Sequence, residues 1–587
     1  MKAFWFRGGT PNSRLLGIYH PPVNRQSERG AVLICPPWGT EQLRSHSVLR
    51  RLALQLSEAG FHVLRFDYHA TGDSSGAGGE ADASTWALDT LSAAKKLREL
   101  SNGLPMSIVG LRLGALIAAR AVQLAEDNLR FHQLYLWDAP ISGSTYLADL
   151  DDLHQRMLNA LIEFGASVDD KARTNERMGF HVNDMLRQSL EALDLAIMAP
   201  AIASRLIERQ YWVNSSEHNQ VERTAATLLQ SGKPIVYQVV NDDGHWDALS
   251  RFDVTLQTHA LPQWIIKNLT DYVQKLPRQA DFGFVVADSE QVETPSGEVP
   301  EEIRQFGSQG QFFGILTLPS AEAPKLDSPD IILLNAGLIN RLGPYRTNVI
   351  LARTLARKGY RVMRIDLSGI GDSPPRRERG TEKERAIADV EDAMKDLTDR
   401  HGATKFVLVG LCSGADLAQS VALVEPRVVG IMLIDPLGYR TTGFYLRYYL
   451  SRFLLPRYQL RFIKVRGKRI LARMGLGQDS KHNETSDHDS IANFFRTFPP
   501  AKQIDRELLD LADRGMKGLF IYTRGVDYYY NYLRQFWDMF PSLRGRAAYE
   551  VILNRDSDHT TTLSTPRRQL IDQLSQWLIK HFSGANK

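Results

Sequence analysis

The sequence predicts two tandem α/β domains, each a mostly parallel sheet flanked by helices and carrying a helical cap insertion. Three observations predict it. The chain has 587 residues, more than one core usually holds. It repeats itself at long range: GFHVLRFDYHATGDSSG at 60–76 matches GYRVMRIDLSGIGDSPP at 359–375, and GLRLGA at 110–115 matches GLCSGA at 410–415. LLGIYHPP at 15–22 echoes FFGILTLP at 312–319, and LYLWDAP at 134–140 echoes IMLIDPLG at 431–438. The offset stays near 300 residues, far too long for a solenoid, so a whole domain is duplicated. Finally, each copy alternates short apolar runs with helical periodicity. The copies span 1–276 and 301–587, and the polar stretch 277–300 reads as the linker.

In the second copy, DIILLN (330–335) is a buried strand running into a loop. Val349, Leu351, Ala352 and Leu355 mark a helix that Gly359 stops. VMRID (362–366) is the next strand, broken by Gly369, Gly371 and Asp372. Ile387, Val390, Met394 and Leu397 share one face of a second helix. FVLVG (406–410) is a strand that runs straight into GLCSGA. The first copy repeats the order with VLIC, VLRFD, a helix through Ala87, Leu91, Ala94 and Leu97, and SIVG.

Composition narrows the class. Apolar residues make up 43% and charged residues 24%, which excludes a disordered, collagen-like or coiled-coil chain. The net charge of +4 is too small to imply nucleic acid. No run approaches the roughly 18–20 apolar residues of a membrane helix. The start, MKAFWFRGGTPNS, lacks the apolar stretch of a signal peptide. Cys35 and Cys412 are the only cysteines, so a disulfide scaffold is excluded and a reducing cytoplasm is expected. No motif calls for a metal or a cofactor.

A strand ending in G-x-Nu-x-G and turning into a helix puts a nucleophile at a strained tip, with tiny residues two places away on either side. Here the five residues are Gly410, Leu411, Cys412, Ser413 and Gly414, so the tip is Cys412 rather than Ser413. A thiol nucleophile needs a base. The run YEVIL followed by NRDSDHTTTL offers His559 just before the terminal helix. A third group must orient the imidazole. Asp527, after the strand GLFIYT, is the first choice, and Asp435, also at a strand end, is the alternative. The oxyanion hole should combine the backbone N–H of Ser413 with that of Leu338, favoured over Gly337, in the loop Asn335-Ala336-Gly337-Leu338.

These residues resemble the α/β-hydrolase superfamily, over nearly the whole chain and in two copies. The resemblance implies a covalent acyl-enzyme, although many relatives have His-Gly where this chain has Asn335-Ala336. The cysteine tip is similar to dienelactone hydrolase and the cysteine thioesterases. The segments RIDLSGIGDS and YYLSRFLLP resemble exosortase A-associated hydrolases of polysaccharide loci.

In the first copy the tip is Arg112, within Gly110-Leu111-Arg112-Leu113-Gly114, while His245 keeps the late histidine position. A guanidinium cannot attack a carbonyl, so this copy reads as inactive. Arg112 is expected either to pair with Asp242, Asp243 or Glu217 and plug a dead pocket, or to hold an anionic substrate group. Cys35 reads as core packing. The first copy has its own insertion, 141–208, mixed in charge.

A cap is expected at about 439–515. Residues 439–474 carry ten Lys or Arg, no Asp or Glu, and interleaved aromatics. That suggests a docking face for an acyl carrier protein, coenzyme A phosphates or an anionic membrane surface, or else a solvated basic cap. The function expected is an acyltransferase or hydrolase acting on a small-molecule thioester or ester through Cys412. The alternative is a non-catalytic scaffold of two degenerate domains.

Overall fold

The computed structural model describes residues 1–242, 259–276, 294, 298–454 and 498–583, except residues 12, 25–27, 164, 217, 218, 231 and 233; within 451–454 only the backbone is described. The linker 277–300 and the basic segment therefore lie largely outside the described residues.

Each half builds one eight-stranded sheet. The first contains β1 (Lys2–Arg7), β2 (Arg14–His20), β3 (Gly30–Cys35), β4 (Phe61–Phe66), β5 (Met106–Leu111) and β6 (Phe131–Trp137). A separate hairpin of β7 (Glu176–Arg177) and β8 (Phe180–His181) follows, and then β9 (Leu206–Asn214) and β10 (Ile235–Val239) complete the sheet. The second contains β11 (Glu301–Phe306), β12 (Phe312–Thr317), β13 (Asp330–Leu333), β14 (Val362–Ile365), β15 (Phe406–Leu411), β16 (Val428–Ile434), β17 (Lys517–Thr523) and β18 (Tyr549–Asn554). The spatial orders, β1-β2-β4-β3-β5-β6-β9-β10 and β11-β12-β14-β13-β15-β16-β17-β18, are the same order twice. In each sheet the first two pairings are antiparallel and all others parallel.

Parallel strands covered on both faces read as unbroken apolar runs, as FVLVG does. In β15, Phe406 and Leu408 face one core, and Val407 and Val409 face the other. The helix Glu382–His401 starts at a capping box made by Thr381 and Glu384 and stops at Gly402, whose φ is 67°. Its periodic face buries Val390, Ala393, Met394 and Leu397.

The halves meet through the same residues of each copy. β2 turns Leu16 and Ile18 toward Phe313 and Ile315 of β12, their repeat equivalents. Around this contact runs a buried ionic network. Arg65 of the first half pairs with Asp372 of the second, and Arg364 of the second pairs with Asp73 of the first. Arg65 and Arg364 hold the same place in VLRFD and VMRID, and the two aspartates hold the same place in the GDS loops. Such reciprocity is that of a two-fold dimer interface, here within one chain. Arg341 reaches Asp73 at 2.7 Å, Asp366 at 2.6 Å and Asp372 at 3.0 Å.

The first insertion folds as the helices Gly143–Glu163, Asp170–Thr174, Asp184–Glu191 and Leu195–Arg205 around the β7–β8 hairpin. The second supplies the helices Thr442–Leu454 and Ala501–Asp513. Among the described residues, no helix is long and apolar enough to cross a membrane.

Candidate active site

β15 ends at Leu411, and the chain turns through Cys412 into the helix Ser413–Val424. Cys412 is held at φ 57° and ψ −118°, a left-handed conformation that costs a non-glycine residue about 1–3 kcal/mol. The glycines around it allow the turn. A Cβ on Gly410 would stand 2.1 Å from Gly414 O, and one on Gly414 would stand 2.5 Å from Asn335 O. Arg112 has nearly the same geometry, φ 53° and ψ −122°, so the elbow persists in the first half without its nucleophile.

His559 lies on the loop between β18 and the helix Ser564–Phe582. Gly525 lets that loop close in, since a Cβ there would meet His559 N at 2.3 Å. The imidazole bonds to the Cys412 side chain. Its Nδ1 lies 2.7 Å from Asp435 Oδ2, which leaves Nε2 for the thiol. Burial opposes charge on His559, but the bonds to Asp435 and Cys412 outweigh it and raise its pKa to about 10. An imidazolium beside a thiol favours the thiolate.

The carboxylate that meets His559 Nδ1 is thus Asp435, not the expected Asp527. β16 ends at Ile434, and Asp435 at φ 48° turns its side chain under the histidine. It is fully buried and accepts from Thr523 N at 2.6 Å and Thr523 Oγ1 at 2.7 Å. The chain after β17 instead winds into a short 3-10 turn, Arg524–Val526, which Asp527 closes; the residue is exposed overall, but partial burial of its carboxyl raises its pKa to about 6. The repeat carries a signal for this choice. Asp138, the equivalent of Asp435 in LYLWDAP, also has positive φ and also accepts from the end of the next strand, at Ser215 N.

Gly337 N donates to Ser413 Oγ at 2.9 Å, and the Leu338 side chain is exposed. Asn335 ties this loop in place: its Oδ1 accepts from Leu367 N, and its Nδ2 donates to Ile339 O. The departure at Asn335 is therefore a brace for the loop.

In the first half Arg112 pairs with Glu41, with Nε 3.0 Å from Oε1. Glu41 was not among the expected partners; it lies buried in the first turn of the helix Thr40–Glu58, and no local pattern in the sequence marks it. Asp242 accepts from His259 N and Leu261 N instead, while Asp243, Glu217 and His245 lie outside the described residues. Cys35 is buried, and desolvation pushes its thiol up to about 12, as a packing residue requires. We expect Arg112→Ala to destabilise the fold by about 3–5 kcal/mol, because Glu41 is left buried and unpaired. Denaturation of this variant and of Arg112→Met/Glu41→Leu, which removes both charges, checks it: the double variant should recover most of the loss. Among the described residues, no group of three or more His, Cys, Asp or Glu could hold a metal.

Residues 330–571 match the family model for the alpha/beta hydrolase fold. The second half has the α/β-hydrolase fold. The matched residues span β13 to β18, the elbow and the late histidine, and the first half repeats the same sheet. Among curated proteins none matches the chain. Solved structures similar to about half of it include an α/β serine hydrolase without a lid from Xanthomonas campestris, 12% identical, covering 49% of this chain and 98% of its own, with a TM-score of 0.30. An esterase from Pyrococcus furiosus is 15% identical over 49% of this chain and 92% of its own, with a TM-score of 0.32. A thermostable carboxyl esterase from Bacillus coagulans is 16% identical over 46% and 98%, with a TM-score of 0.34.

Proposed function

We propose that the second half hydrolyses or transfers acyl groups from a thioester or ester through a covalent Cys412 acyl-enzyme. The observation that supports this is the connected series Cys412 after β15, Asp435 after β16 and His559 on the loop after β18. The Cys412 thiolate attacks the substrate carbonyl carbon. The oxyanion that forms is met by the N–H groups of Ser413 and Leu338, since Gly337 is already engaged by Ser413 Oγ. The His559 imidazolium gives its proton to the departing thiolate or alkoxide, leaving a thioester on Sγ. Water, an alcohol or an amine then loses a proton to His559 and attacks that thioester, which releases the acyl product and restores the ion pair.

Alkylation tests the ion pair. Cys412 should react with iodoacetamide rapidly well below pH 8.5, where an ordinary thiol is protonated, and Cys35 should stay unlabelled in the folded protein. Cys412 reacting only as fast as Cys35 would contradict the proposal and favour the scaffold reading.

The basic segment 439–474 is proposed to dock an acidic donor, either a carrier protein or a coenzyme A thioester. Reversing Arg466, Lys468 and Arg469 to Glu should raise KM for the carrier-bound donor and make that KM less salt-dependent. Turnover of a small neutral thioester should be unchanged. Equal losses on both donors would mean that the segment shapes the pocket and docks nothing. Binding to anionic but not neutral vesicles would assign the charge to a membrane surface.

A further inference from the structure

The helix Ser564–Phe582 begins five residues after His559, and its own N-cap, Leu563, offers no side-chain acceptor. The acceptor comes from the other half of the chain. Glu176, buried on β7, takes a hydrogen bond from Ser564 N at 3.0 Å and another from Ser564 Oγ. Asp169 Oδ2 accepts from Thr565 Oγ1 at 2.6 Å. Two carboxylates of the first half thus sit where the terminal helix exposes unpaired N–H groups and the positive end of its dipole.

The hairpin tip completes the contact. Met178 and Gly179 both have positive φ, 49° and 80°, as a two-residue turn between antiparallel strands requires. The turn presses so closely on the histidine loop that a Cβ on Gly179 would stand 2.3 Å from Thr562 O. Arg567, nearly buried, donates to both sides of this seam, to Gly179 O at 2.8 Å and Thr562 O at 2.9 Å. Leu563 packs in an apolar cluster with Leu158 and Ala172 of the first insertion. Ser167 N donates to Asp556 Oδ1 at 3.3 Å at the far end of the loop. Within the loop, Asp558 accepts from Thr562 N at 2.7 Å, so the backbone from Asp558 to Thr562 is tied into one turn with His559 inside it. Whatever fixes Thr562 and Ser564 therefore fixes the histidine.

We propose that the first half works as a clamp for the second: its β7–β8 hairpin, through Glu176, is a positioning element that holds His559 in register with Cys412 and Asp435. This rests on the reading of His559 as the partner of the Cys412 thiol. It also gives a reason for the inactive half to persist in the chain. The insertion that would cap its own site is spent on the neighbour's histidine loop.

The test is the pH midpoint of Cys412 alkylation in the full chain. The charged groups that could move it are Asp435 under the ring, Asp558 on the same loop, and Arg524 and Asp527 on the turn around Gly525. None is altered in the variants used. His559→Ala should raise the midpoint toward the ordinary thiol value near 8.5. Glu176→Ala should raise it in the same direction by about one unit, equivalent to about a tenfold loss of rate at pH values below the wild-type midpoint. Glu176→Gln, which keeps an acceptor for Ser564 N–H, should recover most of that loss. Ser564→Ala, a milder change at the other end, should shift the midpoint less and in the same direction, which covers the case of a Glu176→Ala protein that fails to fold. A wild-type midpoint in folded Glu176→Ala and Ser564→Ala, with His559→Ala shifted, would overturn the clamp and leave the active-site reading intact. An unshifted His559→Ala would overturn both.

Discussion

Replacing Asp435 with Asn should lower kcat/KM on an activated acyl ester by about 10⁴-fold, the order of loss seen when a triad's orienting carboxylate is neutralised. The buried carboxylate lies 2.7 Å from His559 Nδ1, and an Nδ1–H bond to it leaves Nε2 for Cys412. An amide in its place can present N–H to the ring and reverse the tautomer, so the thiol loses its base. It also loses an acceptor for the two bonds from Thr523, so a thermal melt should accompany the kinetics. Asp527→Asn should stay within a few-fold of wild type, because His559 Nδ1 bonds to Asp435. Steady-state kinetics of the two variants side by side decide between the carboxylates. A dead Asp527→Asn with an active Asp435→Asn would reverse the assignment.

Arg341→Met should destabilise the chain by about 3–5 kcal/mol, because one buried cation faces Asp73, Asp366 and Asp372. Arg341 is 3% exposed in its side chain, so water cannot replace it. Removing it leaves excess negative charge between the halves, faced by Arg65, Arg364 and His46. The exposed pair Arg546–Asp513 serves as the control: Arg546→Ala should cost under about 1 kcal/mol. Urea denaturation followed by both tryptophan fluorescence and circular dichroism measures each. An Arg341→Met chain as stable as wild type would mean that the network adds no stability to the join.

The doubled sheet was legible because a strand buried on both faces and a helix with a 3.6-residue period leave different marks, and here each mark occurs twice. The elbow was legible for a steric reason: only residues as small as Gly410 and Gly414 permit the turn, so they flag Cys412 between them. His559 was legible from its place before the last helix. Asp435 against Asp527 was not decided by the sequence read one half at a time, since both follow a strand on the same sheet. The choice depends on which loop turns its side chain under the ring, and that is a matter of the backbone at one residue. Asp138 and Asp435 share a positive φ and a bond from the end of the next strand, which Asp527 does not repeat. Glu41 and Glu176 were illegible for another reason. Their partners, Arg112 and Ser564, lie 71 and 388 residues away, and no local pattern marks a carboxylate chosen by tertiary contact.

Cys412 is proposed to carry the acyl group. Incubating the full chain with a panel of acyl thioesters, quenching in acid, and measuring intact mass followed by peptide mapping tests it most directly. A mass increase equal to one acyl group is expected for at least one donor, mapped to the peptide containing Cys412, retained in Ser413→Ala and absent in Cys412→Ala. An adduct on Ser413, on the first half, or unchanged in Cys412→Ala would contradict it.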